Sequence, residues 1–540
     1  MASSSEALFH PSKYVTRALK DSDDTLEAIE TIQSENKVKI PSIHAALSLL
    51  DLHGISREET HRSLFKTLQE NLTERLTSLD SKSIKRLLDK AFQYTSVPEI
   101  CSVVMKMLET LSAQQPIDEK YLLEIAEKEE LYNDCPIIVK RQIWQLNPGV
   151  FGEAVSPLLD QYIAEKESQL FNISEQSFFM QPVKARRQSS ILKQLVEMLG
   201  TSLPLYNTLT QFLRTLFLRT RVGHYCTLRA DIIMMLHEKD NVIMDSDRCH
   251  KFAWCLDACI RSCTVDEKKL RELYAFLDTI PGGDDVLEDV SMLLRDPFIL
   301  YTISRSVVLS LHKMMNESKL PRESSHLESL LRLLFIGLKS ASYLETKSYS
   351  GDPLEIDIII KFLPELLSFM TESSLRLIHS KLKQDYPAYT LSSSFIRHLT
   401  STTGAMQLTT SYSLYLIDKK DFKTLSSLLP AIASSYTESE TDIFPDGYMN
   451  SVVVGVSSHL GTIREATLLA IIREFFLPCA RHSEMCLLYL CRFLWVGSNK
   501  IKREIVQETL DEMRPATDQV SPMAQDQYQE LVDRVNSYTQ

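Results

Sequence analysis

The sequence predicts an all-α protein, a solenoid of stacked helical pairs, and three observations predict it. Only 14 of the 540 residues are glycine. That is well under half the usual share of about 7%, and sheets and hairpins depend on glycine wherever the backbone needs positive φ. Apolar residues recur at spacings of three and four in segment after segment, the period of a helix with one buried face. Prolines stand where helices would start, a position they suit, rather than inside them, where they are costly. A hydrophobic content of 44% and a charged content of 24% are those of an ordinary globular chain. No clean sequence repeat is visible, so one curved solenoid and two packed helical domains both remain open.

The elements follow in order. Residues 1–24 are polar and read as a flexible N-terminus. Thr25 suits an N-cap, with Leu26, Ile29 and Ile32 on one face of the helix it starts. Ser42 suits the next cap, before Ile43, Leu47 and Leu50. Leu64, Leu68, Leu72 and Leu76 form a further stripe. Pro98, Pro116, Pro136, Pro148 and Pro157 divide residues 96–170 into short helices. Residues 25–380 thus read as one helical scaffold. From Thr390 to Ser413, 12 of 24 residues are Ser or Thr, side chains that compete for backbone hydrogen bonds and favour loops. Residues 381–411 are therefore expected to be a linker or an irregular stretch. Helical periodicity returns over 412–540, a separate C-terminal helical region ending in two acidic amphipathic helices around Pro515.

Several function classes lack their signatures. The longest apolar stretches, Leu327–Leu338 and Ala466–Ala480, are interrupted by Arg332 and by Arg473 and Glu474. A membrane span needs about 20 apolar residues, so none is expected. No basic segment followed by an apolar core opens the chain, so no secretory signal is read. Ten irregularly spaced cysteines then read as reduced thiols. No dinucleotide or phosphate-binding glycine loop, no H-E-x-x-H and no G-x-S-x-G occurs. His237-Glu238 lacks the second histidine of a zinc motif. No enzyme activity, cofactor or metal is expected. Cys249, His250, Cys255, Cys259 and Cys263 are the best metal candidates. Cys255, Cys259 and Cys263 share a face if helical, interleaved with Phe252 and Leu256, and the preferred reading is that they are small buried hydrophobes.

The sharper signal is electrostatic. Net charge is −12, yet residues 181–230 hold eight basic side chains against Glu197 alone. That segment is +7, which leaves −19 on the rest. Lys184, Arg186, Arg187, Arg214, Arg219, Arg221 and Arg229 are the candidate RNA or partner surface. If Leu209–Arg221 is one helix, Leu209, Phe212, Leu213 and Leu216 face the core. Arg214 and Arg221 then align on the far side, a row suited to phosphate or carboxylate recognition. Pairing with internal carboxylates is the equally weighted reading. Lys140 and Arg141 are a weaker candidate beside Trp144, which either stacks a base or anchors a helix in the core.

Some runs are familiar. LDLHG at 50–54, VKRQIWQ at 139–145, VSPLLDQYIAEKES at 155–168 and QFLRTLFLRTR at 211–221 are among them. So are HYCTLRA at 224–230, CHKFAWCLDACIR at 249–261, DPF at 296–298, LLRLL at 330–334 and FLP at 362–364. These runs resemble the B subunit family of the negative elongation factor over roughly residues 25–370, with little resemblance past about 375. The resemblance implies a HEAT-like helical scaffold in the nucleus, without catalytic residues or cofactor. It implies a complex in which this subunit joins the C (or D) subunit to the E subunit. That complex holds RNA polymerase II in a promoter-proximal pause together with a second pausing factor and contacts nascent single-stranded RNA. The alternative is a general α-solenoid adaptor for trafficking or transport, unrelated to transcription.

Overall fold

The structure is a computed structural model. It describes residues 57–171, 178–239, 242–279, 284–317, 324–346, 353–381, 391–439, 442–513 and 520–537, with single positions at 31 and 34. The helices expected around Leu26–Ile32 and Ile43–Leu50, and the N-terminal 24 residues, lie outside the described residues. Among the described residues the chain is helical throughout, with no strand, and no helix is long and apolar enough to cross a membrane. The all-α, solenoid-like fold is therefore as the sequence predicts. The chain divides into two compact units, Met1–Val150 and Phe151–Gln540.

The first unit holds α1 (Arg57–Leu76), α2 (Ser81–Ala91), α3 (Pro98–Ser112), α4 (Glu119–Glu127), α5 (Glu129–Asp134) and α6 (Ile137–Leu146). Pro98 is the first residue of α3, where its missing N–H costs nothing. Pro136 precedes α6 in the same way. α3 is the axis of this unit and packs against α1, α2 and α6. Its Val104, Met107 and Leu108 are fully buried, and Ile84, Leu88, Ile125, Val139 and Ile143 close around them. In α1 the expected stripe narrows to its C-terminal end. Leu76 is buried and Leu72 half-buried, while Leu68 is exposed.

α7 (Pro148–Phe171) starts in the first unit and enters the second at Phe151; the second runs on through α8 (Val183–Arg186), α9 (Ser190–Leu199), α10 (Leu203–Thr220), α11 (His224–Glu238) and α12 (Ile243–Ser246). It continues with α13 (His250–Ser262), α14 (Glu267–Thr279), α15 (Asp284–Leu294), α16 (Pro297–Glu317), α17 (Ser325–Leu338), α18 (Ser340–Thr346) and α19 (Pro353–Lys381). Then come α20 (Ser393–Ser401), α21 (Thr403–Asp418), α22 (Phe422–Thr437), α23 (Tyr448–Ser457) and α24 (Glu465–Ile471). A π-helical turn (Ile472–Phe476) leads into α25 (Leu477–His482), and α26 (Glu484–Gly497), α27 (Arg503–Met513) and α28 (Pro522–Ser537) complete the unit. Most helices pack on neighbours one or two along the chain, as stacked pairs do. α16 is the hub, packing against α13, α17, α19 and α21. Where α17 meets the end of α15, a Cβ on Gly337 would lie 2.6 Å from the Leu294 carbonyl oxygen, so only glycine permits that approach.

Prolines do not always break helices here. Pro157 lies inside α7 and Pro364 inside α19, contrary to the expectation that Pro157 ends a helix. Both face solvent. Glu153 and Ile360, whose carbonyls lose their acceptor role, are exposed too, so water can take those bonds. Pro478 cannot donate to the carbonyl four residues back, and the turn just before it is π-helical, which widens the bonding to i→i+5.

The Ser/Thr-rich stretch is the main correction. Residues 382–390 lie outside the described residues, but 393–401 and 403–418 are helices. α21 is buried against α16, α22 and α23, not a linker. Its hydroxyls turn inward on their own helix. Thr409 donates to the Ala405 carbonyl at 2.8 Å, Thr410 to Met406 at 2.8 Å and Ser413 to Thr410 at 2.7 Å. Back-bonding satisfies each hydroxyl within the helix, so these small side chains can be buried where larger ones would hold the neighbouring helices apart.

Candidate functional site

The sequence-selected basic segment folds into α8 to α11, and four of its eight basic side chains turn inward. α8 carries Arg186 and is followed at once by Arg187. Their residues are only 4% and 7% exposed. α11 supplies Asp231, α13 supplies Asp257, and Asp296 stands just before α16, each of them buried. Arg186 Nη2 lies 2.8 Å from Asp231 Oδ1, and Nη1 lies 3.6 Å from Asp296 Oδ2. The same guanidinium sits over the Phe298 ring at 4.4 Å, a cation–π contact. Arg187 reaches Asp231 at 3.5 Å, Glu238 at 3.2 Å and Asp257. Arg261 closes the far side of Asp257 at 3.2 Å.

Asp296 also caps α16. Its Oδ1 accepts from the Phe298 N–H at 3.1 Å and from Thr227 Oγ1 at 3.0 Å, and Pro297 follows as the first helical residue. Asp before Pro at a helix start is a local signal the sequence carries openly. Burial nevertheless raises the Asp296 carboxyl above its usual range, with Arg186 opposing. Lys166 from α7 is buried nearby and bonds Gln169 at 3.2 Å. Burial lowers its pKa, against the pull of Asp231. Burial also brings His224 down to about 4, and among the described residues neither of its ring nitrogens has a hydrogen-bond partner.

A second cluster ties α10, α11 and α15 together. Arg229, 3% exposed, lies 2.6 Å from Asp289 Oδ1. Arg214, half-buried, forks to Glu288 at 2.8 Å and Asp289 at 2.7 Å. Burial pushes the Asp289 carboxyl up, but the two guanidinium groups outweigh it and the net direction is down.

The row of guanidinium groups expected on one long helix is therefore corrected. α10 buries Leu205, Leu209, Leu213 and Phe217 at a strict spacing of four, while Phe212 and Leu216 are half-buried. The helix ends at Thr220. Arg221 takes the left-handed C-terminal position at φ 61°, so it leaves the face of Arg214 and pairs at the surface with Glu345. Arg186, Arg187 and Arg229 are core residues, and no external phosphate can reach them. Lys184 and Arg219 are exposed with no ion-pair partner among the described residues.

In the first unit, Trp144 is 2% exposed and donates to Tyr132 Oη at 2.7 Å. It anchors the core and cannot stack a base. Lys140 donates to the Asn133 carbonyl at 3.0 Å and lies over the Tyr132 ring at 5.0 Å. Arg141 is half-buried beside it.

Of the five candidates only Cys255 and Cys259 meet, thiol to thiol. Cys249, Cys255 and Cys259 are buried, but α13 ends at Ser262 and Cys263 takes a left-handed cap at φ 50°, off the expected shared face. Among the described residues no group of three or more His, Cys, Asp or Glu side chains comes together as metal ligands.

The fold and its ion-paired interior define a large all-α, solenoid-like protein whose conspicuous arginines hold helices together. Comparison with known proteins makes this specific. The family model for Cofactor of BRCA1 (COBRA1) matches residues 98–434. Negative elongation factor B of Homo sapiens is 40% identical over 437 residues, covering 77% of this chain and 75% of the human protein. The protein of the same name from Drosophila melanogaster is 36% identical over 529 residues, covering 93% of this chain and 87% of the fly protein. The chain belongs to the Cofactor of BRCA1, or negative elongation factor B, family. The likeness runs past residue 375, beyond the familiar sequence runs.

Proposed function

We propose that this chain is a non-catalytic scaffold subunit of a nuclear negative-elongation-factor complex, acting in transcription by bridging other subunits that hold RNA polymerase II in a promoter-proximal pause. The observation that carries this reading is the alignment with proteins named negative elongation factor B over as much as 93% of the chain. An all-helical architecture supports it, because stacked helices leave long outer faces for docking. The partners in this reading are the C (or D) and E subunits and the polymerase with its second pausing factor.

Direct contact with nascent RNA through residues 181–230 is the narrower part of the proposal. It now rests on Lys184, Arg219 and Arg221, because the other arginines of that segment are committed to internal carboxylates. The test is crosslinking mass spectrometry of the tagged chain in nuclear extract. Crosslinks to the other subunits and to polymerase are expected. Recovery of coat or import factors without polymerase would instead favour a general transport adaptor and end the transcription reading.

A further inference from the structure

A cleft of about 180 Å³ opens in the second unit among the ends of α15, α16, α17 and α21 and the loop 442–446. Its polar groups are unlike those of the ion-paired core, because they do not pair with one another. Gln407, on α21, is only 5% exposed, yet its carboxamide has no hydrogen bond among the described residues. Elsewhere on this buried helix Thr409, Thr410 and Ser413 are all internally bonded. Its amide opens on the cleft, where a ligand can reach it.

Asp446 is half-buried and makes no hydrogen bond or ion pair among the described residues, though its charge acts on the buried His224. Its carboxylate lies against Gly223, the N-cap of α11, where a Cβ would come within 2.9 Å of Oδ2. Asp442 stands at the exposed rim and accepts from the Phe444 N–H at 3.0 Å. Arg295 opens on the same space without an ion pair. Two carboxylates against one guanidinium leave the lining at −1, and Leu300 and Phe444 supply apolar wall. Small-molecule sites usually occupy about 300–1,000 Å³. This cleft is smaller and is of the order of one long side chain. Carboxylates beside apolar walls suit a chain of methylenes ending in a guanidinium.

We propose that this cleft is the receptor for one arginine side chain presented by a partner polypeptide. Asp446, Asp442 and the Gln407 carbonyl oxygen accept from its guanidinium, and Arg295 donates to a main-chain carbonyl of the same segment. The proposal does not depend on the transcription reading, since any arginine-bearing partner satisfies it.

The test titrates N-acetyl-arginine N-methylamide into the full chain and reads saturation transfer by NMR. The citrulline counterpart, with the same shape and no charge, and the glutamate counterpart run beside it. Binding of the arginine probe alone is expected. In Asp446→Asn it should weaken at least about tenfold, the order of one charge-assisted hydrogen bond. Asp442→Asn, at the exposed rim, leaves the fold intact and should also weaken binding. The reading is overturned by equal transfer to the citrulline or glutamate probe, by wild-type affinity in both variants, or by no transfer up to the solubility limit of the arginine probe. The comparison of the three probes on unaltered protein needs no variant to fold.

Discussion

Replacing Arg186 by methionine removes a buried cation while nearly keeping its volume. In the native protein its guanidinium serves two carboxylates that have no exposed surface, Asp231 at 2.8 Å and Asp296 at 3.6 Å. After the change Asp231 keeps only the longer contact to Arg187 at 3.5 Å. Asp296 keeps Thr227 and the Phe298 N–H. Breaking a buried pair from one side costs about 3–5 kcal/mol, because a charge is left buried without compensation. The variant should be destabilised by that amount at pH 7.

The pH dependence has a definite sign. Burial already raises the folded-state pKa of Asp296, and Arg186 is the first influence opposing it. Without Arg186 the folded carboxyl holds its proton to still higher pH than the unfolded one. Between those two pKa values the folded state binds more protons, so stability falls as pH rises. The deficit should therefore be largest at neutral pH and shrink on acidification through the raised folded pKa. Two compact units make a single global transition a poor readout. Hydrogen exchange of peptides from α11 and α16 measures local opening directly. Protection within about 1 kcal/mol of wild type at pH 7, the size of an unremarkable substitution, would refute the argument. So would a deficit that grows in acid. Adding Asp231→Asn should recover more than about 1 kcal/mol, as coupled sites do.

Other expectations are as direct. His224 has a folded pKa of about 4 against an ordinary 6.5, set by burial and opposed by Asp446. The unfolded chain binds the extra proton between those values, so about 3 kcal/mol of stability should be lost as pH falls from 6.5 to 4; His224→Phe should flatten that loss in pH-dependent hydrogen exchange of α11. Gly447 has φ 80° and sits where a Cβ would run into the Phe178 ring, so Gly447→Ala should cost at least about 1–3 kcal/mol, read as faster exchange in α23. Thr409→Val swaps a self-satisfied hydroxyl for a methyl and should change local stability by no more than about 1 kcal/mol, measured by hydrogen exchange of peptides from α21; a large loss would show that the hydroxyl serves something outside its own helix. If RNA binds the 181–230 segment, Arg219→Ala should reduce the slope of log affinity against log salt by about one unit, whereas Arg187→Ala should act through stability instead.

The sequence by itself determined the helices. The 3.6-residue period, the scarcity of glycine and the Asp296-Pro297 helix start are local facts, and a helix closes its hydrogen bonds within four residues. Leu209 and Leu213 were legible as core for that reason. The run ADIIMML, which buries Asp231 among apolar neighbours, was a signal for the ion-pair cluster that charge counting passed over. Only the tertiary structure decided where the arginines go. Arg186 and Arg187 are polar in the sequence, and their partners Asp231, Asp257 and Asp296 come from three other parts of the chain. The same holds for α21, whose serines and threonines favour a loop in isolation but suit a tightly packed helix once their hydroxyls turn back on the backbone. The cleft at Gln407 and Asp446 likewise has no local signature. A helix is a contract among near neighbours in the chain, while the destination of a charge depends on which distant helix is brought against it.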